Sequence, residues 1–124
     1  MSGGPGGLPR WQTLTRWAAW ACVAAIAPLS LTPAEAVART GLGGHLEHAV
    51  AYAGTTFLVA AAYGGRARIV AGMLAYAAGL EFLQHFSPGR TPSLVDYTFS
   101  GMGIVVGTAA AILLHRCLVA PERA

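Results

Sequence analysis

The sequence predicts an all-α fold: a polytopic membrane protein with four transmembrane helices in a compact antiparallel bundle. Composition is the first observation. Of 124 residues, 55% are hydrophobic and only 10% are charged, against roughly 25% charged in soluble domains. Mean hydropathy is +0.54. The second observation is the grouping of apolar residues into four runs of about 18–21 residues, each long enough as a helix for one bilayer crossing. The third is punctuation by glycine and proline between the runs. Isolated spans of this length must satisfy their own backbone hydrogen bonds in lipid, so helices are the form they take.

The elements follow in order. Met1 to Pro9 is rich in Gly and Pro, and residues 1–13 read as a disordered cytoplasmic tail. Span one runs from about Leu14 to Leu31, with Arg16 able to snorkel toward the headgroups. Thr32-Pro33 ends it, and Gly41 to Gly44 precede span two, about Leu46 to Tyr63. Gly64-Gly65-Arg66 separates it from span three, about Ile69 to Phe86. Ser87-Pro88-Gly89 and Thr91-Pro92 lead to span four, about Val95 to His115, which has no formal charge between Asp96 and Arg116. A single membrane domain thus covers 14–118, with a cytoplasmic tail at 119–124. The short loops make neighbouring helices antiparallel.

Orientation comes from the arginines, since all eight basic residues are Arg. Four crossings put both termini on one side. Arg10, Arg16, Arg66, Arg68, Arg116 and Arg123 then share that side, and Arg39 and Arg90 the other. The positive-inside rule makes the larger set cytoplasmic, so Glu81 to Asp96 face outward. An alternative reading of the N-terminus is a signal peptide cleaved at Ala34-Glu35-Ala36 or Ala36-Val37-Ala38. It leaves three spans in the same orientation.

The net charge of +3 is spread over short loops without a basic run, which does not fit nucleic-acid binding. Cys22 and Cys117 fall in or at the edge of apolar runs, Cys22 within the bilayer and Cys117 near the cytoplasmic face, a poor arrangement for a disulfide. Trp11, Trp17 and Trp20 read as an aromatic belt at the inner boundary.

Polar groups concentrate at the outer end. His45, Glu47 and His48 open span two, Glu81, Gln84 and His85 close span three, and Asp96 starts span four. Glu81 shares a helix face with Gln84 and His85 by spacing, and His48 with Tyr52. Glu81 lies about 7–8 Å inside the span end. A charge at mid-bilayer costs about 2.5–3.5 kcal/mol and less near the interface, so its presence marks a site or a structural pair. Arg90 can pair with Glu81 or Asp96. Asp96 or Ser93 can cap span four. His45, His48, Glu81 and His85 form a candidate metal set, though without a dense ligand motif, and the plainer reading of the histidines is interfacial hydrogen bonding. Ser100, Gly103 and Gly107 form a small-residue face suited to close packing within the bundle, and Gly72, Ala75 and Gly79 offer the same on span three. No nucleophile elbow, zinc-protease motif or phosphate-binding glycine loop is present, and no cofactor is called for.

The order of His48, Tyr52, Glu81, Gln84, Pro88, Gly89, Arg90, Asp96, Gly101 or Gly103, and Gly107 resembles the VanZ-like family of small bacterial membrane proteins. The resemblance covers about His45 to Gly107. It departs from the family at Gly44 and His45, where Asp-Lys is common, and at Ser100, where Asn is common. It implies a four-helix domain in the bacterial inner membrane, and a link with tolerance to the glycopeptide teicoplanin. The preferred expectation is a non-enzymatic protein whose Arg90 engages an anionic lipid or lipid-linked cell-wall precursor, with Glu81, Gln84 and Asp96 orienting it. The alternative is a membrane-embedded enzyme, metal-dependent or not, acting on a lipid-linked envelope substrate with Glu81 or His48 as general base. A proton or ion path is disfavoured, because nothing ionisable continues through the spans.

Overall fold

The computed structural model describes residues 7–36, 41, 43–64 and 66–119. Within them the chain is helical: α1 (Arg10–Leu31), α2 (Gly44–Tyr63), α3 (Arg66–Leu83) and α4 (Leu94–Val119), with short 3-10 turns at Ala34–Ala36 and Gln84–Phe86. Arg39, Arg123, and the tail positions 1–6 and 120–124 lie outside the described residues.

Local chemistry sets the helix ends. α1 stops at Thr32 because Pro33 follows, and the residue before a proline is pushed to extended backbone; Thr32 has ψ 136°. The Thr32 amide and hydroxyl both donate to the Pro28 carbonyl. α2 stops at Gly64, whose φ of 68° is open to glycine and costly for other residues. Ser93 is the N-cap of α4: its carbonyl accepts from the Tyr97 amide at 3.1 Å, and its hydroxyl accepts from the Asp96 amide at 3.3 Å.

α1 begins at Arg10, not Leu14, so residues 10–13 are helix and not part of a disordered tail. Apolar periodicity is blind here because a helix can extend through the headgroup region on polar residues. Three helical segments are long and apolar enough to cross a membrane: Arg10–Leu31, Arg66–Phe86 and Leu94–Val119. α2 matches them in length, at 20 residues, but falls short in hydropathy. His45, Glu47 and His48 occupy its first two turns, and Thr55 and Thr56 are buried at its centre.

The four helices pack together. Trp20 of α1 meets Tyr63 at the end of α2, so these two are antiparallel. Tyr76 of α3 donates to the Val23 carbonyl at 2.5 Å, and Gln84 reaches Ser30, so α1 and α3 run the same way. Ile26, Tyr52, Met73, Ala77, Leu80 and Ile104 form the core. Only 11% of the α1 apolar window and 22% of those of α3 and α4 are buried inside the protein. The remaining apolar surface includes Trp17, Phe82, Met102, Val105, Val106 and Leu113. An apolar face of that extent suits lipid better than water.

α2 and α4 are parallel and in backbone contact. A Cβ added at Gly103 would drive into the Ala49 carbonyl, and one at Gly107 into the Ala53 carbonyl and within 3.0 Å of the Phe57 amide nitrogen. Ala49 and Ala53 are themselves four apart, so small residues face small residues. Ser100 is buried on the same helix. Gly72 and Gly79 do not serve this purpose, since a Cβ at either meets nothing within 4 Å and Ala75 is exposed. They lie on the outer side of α3, away from any neighbour. Cys22 and Cys117 are free thiols.

Gly107→Ala is therefore expected to lower stability by about 1–3 kcal/mol through overpacking. Gly72→Ala should leave it unchanged or raise it by up to about 1 kcal/mol. Thermal unfolding of both variants in the same detergent checks this; equal midpoints would refute the close-packing assignment.

Candidate functional site at the polar end of the bundle

The ends of α1 and α3 and the starts of α2 and α4 meet at one end of the bundle. α1 arrives there with its last carbonyls unpaired, as every helix does. The segment leaving α3 supplies donors to four of them in succession. Arg90 Nη2 donates to Leu29 at 3.1 Å, Gln84 Nε2 to Ser30 at 3.1 Å, Ser87 Oγ to Leu31 at 2.5 Å, and Arg90 Nε to Thr32 at 3.0 Å. Gln84 is only 2% exposed, so its amide would be costly without this partner.

The spacing explains how one short segment does this. Glu81, Gln84, Ser87 and Arg90 are each three residues apart. After Leu83 the backbone leaves α-helical geometry: the Ser87 amide donates to Gln84 at 3.1 Å and the Arg90 amide to Ser87 at 3.2 Å. Bonds spanning three residues eclipse side chains three apart, so the polar groups line one side. The same change removes His85 from the group. It is exposed, with Nδ1 3.0 Å from the Phe82 carbonyl and its ring against Phe82 at 5.7 Å.

Glu81 works in the opposite sense. Its Oε1 accepts from the Ser93 amide at 2.6 Å, satisfying a donor at the start of α4. Ser93-Leu94-Val95-Asp96 has the spacing of a capping box, in which the acid at the fourth position normally reaches back to the cap amide. Here Glu81 of α3 takes that amide. Asp96 instead faces α2, with Oδ1 2.6 Å from His45 Nδ1, and the His45 ring stacks on Phe99 at 5.1 Å.

The expected pairing of Arg90 with Glu81 or Asp96 is thus not formed. Both carboxylates are engaged elsewhere, and the α1 carbonyls, at the negative end of that helix dipole, hold the guanidinium. Tyr52 is buried in the core, within electrostatic range of Glu81. His48 is half-buried and, among the described residues, makes no hydrogen bond. The four metal candidates His45, His48, Glu81 and His85 are not brought together: among the described residues no three His, Cys, Asp or Glu side chains are grouped to hold a metal ion. Sequence reasoning missed Ser87 as a contributor and the His45–Asp96 pair. The three-residue repeat was a usable signal for Ser87.

Stripping the buried Ser30 carbonyl of its donor costs about 1–3 kcal/mol. Gln84→Leu should accordingly lower the unfolding midpoint more than Glu81→Gln, whose amide oxygen still accepts from Ser93. Glu81→Leu should resemble Gln84→Leu. Equal midpoints for Gln84→Leu and the parent protein would mean that the Ser30 contact contributes nothing.

Comparison of the chain with known protein families, curated proteins and solved structures found no match.

Proposed function

We propose that the chain is an integral membrane protein of four crossings, with both termini cytoplasmic and the polar end outside. On this reading α2 crosses within the bundle, its polar first turns at the outer boundary. Support for the orientation is the separation of charge. Arg10, Arg16, Arg66, Arg68 and Arg116 all fall at the end opposite the polar cluster, which the positive-inside rule assigns to the cytoplasm.

The function we propose is non-enzymatic binding of an anionic group, from an envelope lipid or a lipid-linked cell-wall precursor, at the outer face. One observation carries it: Arg90 is held by neutral carbonyls and, among the described residues, by no carboxylate. Of its five N–H groups, two are used. The guanidinium is positioned by these bonds without a counter-charge among the described residues, a pre-organised arrangement for phosphate or pyrophosphate. The wider proposal of kinship with VanZ-like proteins, and of a part in glycopeptide tolerance, rests on the order of motif residues alone.

Arg90→Gln keeps one donor for the α1 carbonyls and removes the charge; Arg90→Lys keeps the charge. With membrane levels equal by blot, Arg90→Gln should weaken binding of a polyprenyl-phosphate lipid to the purified protein by about tenfold or more, and Arg90→Lys by less. The same ranking is expected for tolerance to glycopeptides and other envelope stress in a deletion host. Unchanged lipid binding and unchanged tolerance in Arg90→Gln would remove the proposal.

A second reading is favoured by the His45–Asp96 pair. A carboxylate on Nδ1 of an exposed imidazole is the arrangement of an oriented general base, with Nε2 as the nitrogen that would take the proton. It makes the protein an enzyme on a lipid-linked substrate, with His45 in the part earlier given to Glu81 or His48. His45→Gln would abolish turnover of such a substrate while leaving polyprenyl-phosphate binding intact; loss of binding alone would return His45 to a structural role.

A further inference from the structure

The opposite end of the bundle carries a second polar feature. Arg16 sits in the second turn of α1, half-buried, with its guanidinium carbon 4.7 Å above the Tyr63 ring. The Tyr63 hydroxyl is fixed in turn by the Trp20 indole N–H at 2.8 Å. Arg16 Nε is shielded from solvent and has no hydrogen-bond partner among the described residues, and no carboxylate lies within ion-pair distance of Arg16 there. A cation–π contact supplies attraction but no acceptor for the N–H groups. A buried guanidinium N–H without an acceptor is costly, so the site is electrostatically incomplete.

Leu8, Thr13, Arg16, Trp17, Trp20 and Tyr63 line a cavity of about 300 Å³ around it, at the small end of the range for ligand sites. Trp17 and Trp20 are exposed, as side chains at a membrane interface are. Arg10, Arg66, Arg68 and Arg116 stand at the same end. The described acids, Glu35, Glu47, Glu81 and Asp96, are all at the other; Glu122 lies outside the described residues.

We infer that this cavity is a binding site for the phosphate of an anionic phospholipid in the cytoplasmic leaflet. The headgroup phosphate supplies the counter-charge that Arg16 lacks, at the part of the guanidinium that lines the cavity, and the acyl chains lie along Trp17 and the exposed face of α1. The cytoplasmic leaflet is the one rich in anionic lipid. The site depends on the membrane reading and its orientation, and not on the outer polar cluster or its ligand.

The test uses the intact protein in phosphatidylcholine vesicles, with tryptophan fluorescence as the readout. All three tryptophans of the chain, Trp11, Trp17 and Trp20, lie at this end, so the signal is local. Phosphatidylglycerol with brominated acyl chains should compete for the site about fivefold better than brominated phosphatidylcholine, the factor expected of one arginine at a membrane surface. Arg16→Gln should erase the preference, Arg16→Lys should reduce it, and Arg116→Gln should leave it intact. Equal quenching by the two lipids overturns the proposal. So does an equal loss in Arg116→Gln, or a full preference in Arg16→Lys, since either means that bulk charge is enough. Loss of the preference on adding inorganic phosphate would assign the site to a soluble phosphate and overturn the lipid reading. Failure to enter vesicles of either composition would overturn the membrane reading and this site with it.

Discussion

A helix that ends in an apolar environment leaves carbonyl oxygens that have nowhere to go, and the rest of this structure is arranged around that constraint. In water the last turn of α1 would be solvated. Where that end is packed into the bundle, as at the Ser30 carbonyl, an open carbonyl costs on the order of kilocalories. The chain answers with a polar ribbon of three-residue period running from Glu81 to Arg90, which supplies donors to α1 and an acceptor to α4. One segment thereby fixes two helices, and the loop geometry after α3 follows from the bonds it must make. The turn to 3-10 geometry after Leu83 is best understood as a consequence of this requirement, since an α-helical continuation would have presented His85 in place of Ser87.

The second constraint is the separation of α2 from α4. Gly103 and Gly107 let the α4 backbone approach Ala49 and Ala53 until side chains are excluded between them. That contact fixes the register of the two helices, and the register sets His45 opposite Asp96 and Phe99. A shift by one turn, about 5.4 Å, would separate the pair. Close packing near the middle of the helices and polar geometry at their ends are therefore one structural fact.

Much of the fold was legible in the sequence, because long apolar runs punctuated by glycine and proline report helices and their breaks directly. The helix ends shifted where polar residues continue a helix, as at Arg10 to Thr13. α2 shows the limit of reading by length: His45, Glu47 and His48 in its first turns keep it out of the set of helices apolar enough to cross a membrane. At the candidate site the residue types and their clustering were readable, but the partners were not. Glu81, Arg90 and Asp96 suggest an ion-pair network by charge alone. The structure satisfies them with a backbone amide, backbone carbonyls and an imidazole, respectively. Sequence shows charged side chains and hides the backbone groups that compete for them. Gly72 and Gly79 mislead for a related reason, since spacing does not tell which face of a helix meets a neighbour.

The capping of α1 has a consequence for biosynthesis. The side chains that complete its C-terminal end are encoded 54 to 61 residues downstream. At translation rates of roughly 5–20 residues per second, α1 waits roughly 3–12 seconds for them. During that interval its terminal carbonyls depend on water or other partners for their hydrogen bonds. Arrival of the Gln84 to Arg90 segment then acts as a latch. A chain that stops short of this segment leaves the Leu29 to Thr32 carbonyls without the donors they have in the folded protein, so the defect sits in α1 before the fourth helix is made.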